Sequence, residues 1–443
     1  MKKAPSKIGV FGLTAATYFA VFGGPFGLED IVSKAGYAGA ILILIITPLL
    51  WALPATLMVS ELSSAIPEEG GYYTWAKRAL GPFWGFQEAW LSLVGSIFDM
   101  AIYPTLFVSY LSRFFPNATA GYRGILIGAA LVALAALWNM RGAAFIGDSS
   151  VSMGLLLLAP FVVLAFVALF HRAPAVHSVP LRDVDFLGGI LVAMWNFMGW
   201  DNLSTVANDV DRPQRTYPIA MAAAVIAVAL SAILPIAAVG ATGIDANAWS
   251  TGGWADLGKL LLPNAAGAFL AVCITLAGTI AALGTQNALT MTLARLPVVL
   301  AEDGFLPAVF TRRLRSGAPW VAIAVCSVVW ALGLGLSFVK LVILDVLLTG
   351  SSILLEFASL IALRFREPAL ARPYKIPGGI PATIALTIPP AILLVLTGVR
   401  NKVEPVGPIN ALELGGILVA LGVLVYFAQR RFGAAARRVS TTG

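Results

Sequence analysis

Three carboxylates, Asp99, Asp201 and Glu356, lie inside long runs of apolar residues, where an ionised group costs several kcal/mol unless it faces a cavity or a partner. A carboxyl in such a place can carry a proton near neutral pH, and when ionised it can hold an ammonium group. The alternative for each is a carboxylate tied to a neighbouring helix by hydrogen bonds. Asp99 falls halfway along its run, in Gly95-Ser96-Ile97-Phe98-Asp99-Met100. Glu356, eight residues before Arg364, reads as nearer one end, and Asp345, close to Lys340, reads as a rim residue and is set aside.

Asp201 closes an irregular stretch, Met194-Trp195-Asn196-Phe197-Met198-Gly199-Trp200, and the first apolar run contains another, Tyr18-Phe19-Ala20-Val21-Phe22-Gly23-Gly24-Pro25-Phe26-Gly27. Glycines and a proline in mid-run free the backbone and remove a hydrogen-bond donor, so a helix should unwind there. Unwound backbone at membrane depth is tolerated only where it is buried or lines a wet cavity. Interrupted spans at matching places in two halves point to inverted-repeat transporters. The free amides after Gly24 and Gly199 suit a substrate carboxylate, and a nearby acidic side chain suits an amine. Trp195, one turn before the second break, is the expected gate; Phe22, Phe26 and Trp200 can add cation-π contacts. The expected substrate site is Phe22, Gly23, Gly24, Pro25, Phe26, Asp99, Trp195, Met198, Gly199 and Asp201, with Asp201, Asp99 and Glu356 as candidates for proton coupling.

These residues need a membrane to hold them. The chain has 443 residues, 59% hydrophobic and only 12% charged, against about 25% charged in ordinary soluble domains. Stretches near the length of a span recur twelve times: Gly9 to Val32, Gly39 to Ser60, Phe86 to Leu111, Gly124 to Trp138, Val151 to Phe170, Gly188 to Ala207, Pro218 to Gly240, Ala265 to Leu300, Val321 to Phe338, Leu341 to Leu363, Ile380 to Val399 and Leu412 to Phe427. No connection is long enough for a soluble domain, so residues 1–443 read as one membrane domain. With the N-terminus inside, cytoplasmic loops and tails hold 19 of the 29 Lys and Arg, Lys2, Lys3 and Arg372 among them; nine, including Arg172 and Arg182, fall outside. Both termini are therefore expected in the cytoplasm, and the charge of +7 reflects topology rather than a nucleic-acid partner.

Lys2 and Lys3 before an apolar run resemble the start of a signal peptide, but the run is long, glycine-rich and without a cleavage site, so it reads as a retained span. Cys273 and Cys326 lie inside spans as small packing residues. His171 and His177 share an outer connection and read as loop residues rather than metal ligands. No phosphate-binding loop, zinc spacing or nucleophile elbow is present, so no enzyme and no cofactor are expected, and no obligate protein partner is evident beyond the lipid bilayer.

The order of motifs carries a resemblance: Gly23-Gly24-Pro25-Phe26-Gly27-Leu28-Glu29-Asp30, Pro67-Glu68-Glu69-Gly70-Gly71-Tyr72, Gly81-Pro82-Phe83-Trp84-Gly85-Phe86-Gln87, Asp99 to Pro104, Gly199-Trp200-Asp201 to Val210-Asp211-Arg212-Pro213, Leu354-Leu355-Glu356-Phe357 and Arg372-Pro373-Tyr374-Lys375-Ile376-Pro377. The chain resembles the amino acid, polyamine and organocation superfamily, and within it the plant and protozoan polyamine uptake transporters. The resemblance implies an all-α polytopic protein of the LeuT-type fold with twelve transmembrane helices, the first and sixth broken. Two inverted five-helix repeats, residues 9–171 and 186–364, would be followed by two further helices, residues 380–428. It also implies that Gly23 to Pro25 receives a substrate carboxylate, that Trp195 gates, and that Asp201 occupies an acidic position tied to proton coupling in related arginine exchangers.

Two positions depart from the pattern. Ala20 stands where the plant polyamine carriers have a glutamate, and Leu157, three residues before Pro160, stands where some members have a lysine in place of a sodium ion. The expectation is a secondary carrier in a bacterial plasma (inner) membrane, importing an amino acid or a polyamine by proton symport with alternating access, H+ as coupling ion and no support for Na+. Exchange of a precursor for its amine product is the alternative. A channel would show polar rings along several spans, and a sensor an added domain; here polar groups gather at two breaks.

Overall fold

The computed structural model describes residues 7–171, 173, 184–402 and 404–440, with the side chains of 432–440 excepted; Lys2, Lys3, Arg172, His177 and Arg182 lie outside the described residues. The chain is almost wholly helical. The elements are α1 (Val10–Val21), α2 (Glu29–Thr47), α3 (Leu53–Ala65), α4 (Tyr72–Leu80), α5 (Pro82–Ser112), α6 (Pro116–Thr119), α7 (Tyr122–Asn139), α8 (Ala143–Phe170) and α9 (Phe186–Asn196). They continue as α10 (Pro213–Gly240), α11 (Trp254–Leu261), α12 (Asn264–Leu293), α13 (Leu296–Glu302), α14 (Trp320–Ala331), α15 (Phe338–Arg366), α16 (Gly379–Arg400) and α17 (Ala411–Ser440). The only ladder among the described residues is a two-stranded hairpin, Pro405–Val406 with Ile409–Asn410.

Among the described residues nine helical stretches are long and apolar enough to cross a membrane, and three shorter apolar helices, α1, α9 and α14, join them. Two of those three are short because they stop at the expected breaks. After Val21 the backbone turns left-handed at Gly23 and Gly24 (φ +61° and +99°), and helix resumes at Glu29. A further positive-φ glycine, Gly36, kinks α2, so the residues following the first break are separated from the next span, which runs through a π-helical turn at Pro48–Ala52 into α3. After Asn196 the chain turns at Gly199 (φ +91°) and enters a 3-10 coil, Asn202–Asp209.

The surface is apolar where lipid would lie: Phe11, Leu155, Phe166, Phe269 and Val328 are all exposed, while Glu88, Gln286, Asn287 and Glu356 are buried. That inversion of the soluble pattern belongs to a chain solvated by hydrocarbon. With little hydrophobic drive between helices in lipid, close packing through small residues holds the bundle. The α5–α15 pair shows it. A Cβ on Gly95 would lie 2.7 Å from Thr349 Oγ1, so glycine is what lets the two helices approach. Three turns of α1 pack between α8, α10 and α12, which brings the first break to the centre of the bundle.

Candidate functional site

The two breaks touch. A Cβ on Gly199 would lie 2.6 Å from the Ala20 carbonyl oxygen, so this position demands glycine both for its positive φ and for the approach. Phe22 of the first break stacks on Phe197 of the second, with centroids 6.0 Å apart and planes within 8°. The first loop is fixed from outside by Trp254, whose Nε1 donates to the Pro25 carbonyl at 2.8 Å, and from within by Gly27 N, which donates to Glu29 Oε2 at 2.6 Å. Tyr110 Oη donates to the other oxygen of Glu29. No hydrogen bond engages the Gly24 or Phe26 amide among the described residues.

Two small chambers flank the breaks, each of about 20 Å³, room for roughly one water. The first is apolar, lined by Phe22, Gly23 and Phe26 with Leu106, Ala281 and Thr285. The second is acidic, lined by Asp99, Asp345, Met198, Gly199, Asn202 and Thr349. Tyr103 and Trp195 line both, and their rings face each other at 6.2 Å, forming the wall between them. Tyr103 Oη donates to Asp99 Oδ1 at 2.6 Å, and Trp195 packs edge-on against Phe338 at 5.3 Å. Trp195 thus forms part of the wall that the two chambers share.

Several expected residues fall elsewhere. Gly24 lies against Leu157 and Pro25 turns its carbonyl outward, so neither lines a chamber. Asp201 is buried behind the acidic chamber, within electrostatic reach of Asp99 and Glu356. Glu356 lines neither chamber. The clearest correction concerns Asp345. It is a buried wall residue of the acidic chamber rather than a rim residue, because it lies two turns inside the end of α15 and Thr349, one turn on, donates to it at 2.7 Å. Tyr103, Asn202 and Thr285 were also not anticipated.

Ion pairs and hydrogen bonds tie the elements together at both ends of the bundle. On the face bearing the N-terminus, Ile8 pairs with the backbone of Asp209 and Asp211 at 2.8 and 2.9 Å. Arg295, buried, donates to Glu69 at 3.0 Å and to Asp209 at 2.6 Å; Arg313 adds a 2.8 Å bond to Glu69. Lys77 holds Asp303 at 2.5 Å, and Tyr73 donates to the same carboxylate, with burial and that negative charge pushing its phenol upward from its ordinary range. Glu61 receives Arg364, Arg372 at 3.2 Å and the Ile376 amide at 2.8 Å. On the opposite face Arg113 bonds Asp256 at 3.0 Å, and Thr251 bonds Asp30 at 2.9 Å. The acidic chamber contrasts with both ends, since its lining carries two carboxylates and no Lys, Arg or His.

A family model described as amino acid permease matches residues 8–422. The polyamine transporter RMV1 of Arabidopsis thaliana is 32% identical over 417 residues, covering 93% of this chain and 84% of the relative. The polyamine transporter PUT1 of Oryza sativa subsp. japonica is 33% identical over 421 residues, covering 94% and 78%. An uncharacterized transporter of Legionella pneumophila is 25% identical over 374 residues, covering 79% and 80%.

Proposed function

The chain belongs to the amino acid permease family, and from that premise we propose that it is a secondary carrier importing a small solute with two or more ammonium groups, by proton symport and alternating access. One observation carries the reading: Asp99 and Asp345 line a shared chamber whose lining contains no basic side chain, with Asp201 within electrostatic reach of Asp99. Carboxylates gathered in an apolar interior need cations, and a di- or polyamine supplies more than one. Asp345 answers the departure at Ala20, because a carboxylate from α15 replaces the one missing from α1. The relatives that carry the name polyamine transporter support the same substrate class.

Asp201, Asp99 and Glu356 are the groups we assign to proton coupling, and Trp195 is the gate. Leu157 fills the place beside Gly24 with hydrocarbon, which favours a carrier indifferent to Na+. The basic residues gathered on the N-terminal face favour a cytoplasmic N-terminus in a bacterial plasma membrane, with the C-terminus on the same side.

A second reading, an amino acid as substrate, is favoured by the unengaged amides of Gly24 and Phe26, which suit a carboxylate. Proteoliposomes separate the two. We expect uptake of 1,4-diaminobutane, driven by an inward proton gradient and unaffected by Na+. Uptake of amino acids alone would replace the substrate class. Diamine uptake that ignores the gradient and requires internal substrate would replace symport by exchange.

A further inference from the structure

Two more buried carboxylates lie below the acidic chamber. Glu88 on α5 and Glu356 on α15 are fully buried, and each stands eleven residues from a chamber residue on its own helix, Asp99 and Asp345 respectively. Eleven residues are about three helical turns, so each pair shares a helix face with its members about 16 Å apart. The helices run antiparallel in a fixed register: Gly95 faces Thr349, and Ser92 Oγ lies 2.9 Å from Ser352 Oγ. That register brings Asp99 level with Asp345 and Glu88 level with Glu356. Two tiers of paired carboxylates result, and Asp201 senses members of both.

The lower tier lacks what the upper tier has. Neither chamber reaches it. Ser352 donates to Glu88 Oε1, but Glu88 Oε2 has no hydrogen-bond partner, and the hydrogen-bonding neighbour of the Glu356 carboxyl is another acid, Asp201. Tyr72 of α4, also fully buried, places its phenol beside Ser92 and within electrostatic reach of Glu88, Glu356 and Asp201. Among the described residues no Lys, Arg or His lies at ion-pair distance from either glutamate. The nearest basic residue along α15, Arg364, is committed to Glu61 of α3. Glu88, Asp201, Tyr72 and the hydroxyls of Ser92 and Ser352 are the groups that face Glu356 and its partner.

Two ionised carboxylates without a cation cannot share such a site, and a single proton removes the conflict. One carboxyl then becomes a donor, and a carboxylate oxygen that has no partner gains one. We propose that Glu88 and Glu356 hold one proton between them and pass it to and from Asp201, so that the coupled proton is stored apart from the amine chamber. This rests on the proton-coupled reading above.

The test uses full-length wild type, Glu88→Gln, Glu356→Gln and Glu356→Asp in proteoliposomes, with 1,4-diaminobutane as probe. Counterflow at equal pH reports binding and movement of the carrier; gradient-driven accumulation and substrate-linked proton entry report coupling. Each glutamine variant is expected to keep counterflow within about twofold and to lose accumulation and proton entry at least about tenfold, a change of about 1.4 kcal/mol. Glu356→Asp should restore coupling in part, and an infrared band of a protonated carboxyl present in wild type should vanish in both glutamine variants. Wild-type proton entry left intact by both variants overturns the proton store while leaving symport standing. Loss of diamine counterflow in both, with coupling restored by nothing, makes the tier a substrate site and overturns it as well. A wild type without proton entry ends symport itself and this store with it.

Discussion

Two groups of carboxylates in this molecule differ in what answers them. At the N-terminal face Glu61, Glu69, Asp209 and Asp303 are each bonded to arginine or lysine. Midway through the bundle Asp201, Asp345, Glu88 and Glu356 are buried and Asp99 is half-buried, and among the described residues no basic side chain is at ion-pair distance from any of them. The difference separates holding from carrying. A charge whose partner is built in ties elements of the fold together; on the proposed function, a charge without one is completed by what arrives from solution.

The largest effect tests the first half of that contrast. Replacing Glu61 with Leu strands Arg364 and Arg372 inside the protein, and breaking a buried pair from one side costs about 3–5 kcal/mol. Thermal unfolding in detergent should show that loss for Glu61→Leu and a partial recovery when Arg364→Leu is added. Glu356→Gln, with no basic partner to strand, should unfold at or above the wild-type temperature. Equal destabilisation of the two variants would erase the distinction between the regions.

The acidic chamber comes next. A hydrogen bond to a charged group is worth about 1.5–3 kcal/mol, so Asp99→Asn and Asp345→Asn should each weaken 1,4-diaminobutane binding by about 10- to 100-fold. Ligand-induced thermal shift reads this directly, since a ligand of the folded state raises stability by its occupancy. The pair should act on a diamine more than on a monoamine. If Asp345→Asn left diamine affinity unchanged while Asp99→Asn abolished it, the second carboxylate would be structural and the chamber would take one ammonium.

How much of this was legible follows from the range of each signal. The breaks could be read because Gly23, Gly24, Pro25 and Gly199 act on their own backbone, and the chain does leave the helix at both stretches. Asp99 could be read because a charge halfway along an apolar run has no local explanation. Asp345 was misplaced by its neighbour: Lys340 suggested a rim, yet two turns of α15 lie between the helix end and the acid. Glu88, six residues after Pro82, was not singled out in the sequence, because nothing local sets it apart near the start of α5. The shared eleven-residue spacing is in the sequence, but it acquires meaning only once α5 and α15 are known to face each other in antiparallel register. Arg295 lies late in the apolar run Ala265 to Leu300, and its partners Glu69 and Asp209 are brought to it only by the fold.

The smallest effect sharpens the contrast from its outer edge, where pairing exists but water competes. Arg78 donates to Glu367 through Nε at 3.0 Å and Nη2 at 2.6 Å, with both side chains about a third exposed. The guanidinium holds the Glu367 carboxyl below its ordinary value of 4.5. A carboxyl depressed in the folded state contributes stability above its unfolded value and loses it as pH falls through the folded one. The contribution of this pair is therefore complete near neutrality and disappears in acid below about pH 4.5. Solvent and salt screening limit it to at most about 1 kcal/mol. Glu367→Gln should lower the unfolding temperature slightly at neutral pH and not at all in acid, and the gap should narrow as salt is raised. A loss as large as that of Glu61→Leu, or one persisting in strong salt, would mean that Glu367 belongs with the buried clasps and that exposure does not grade the N-terminal face.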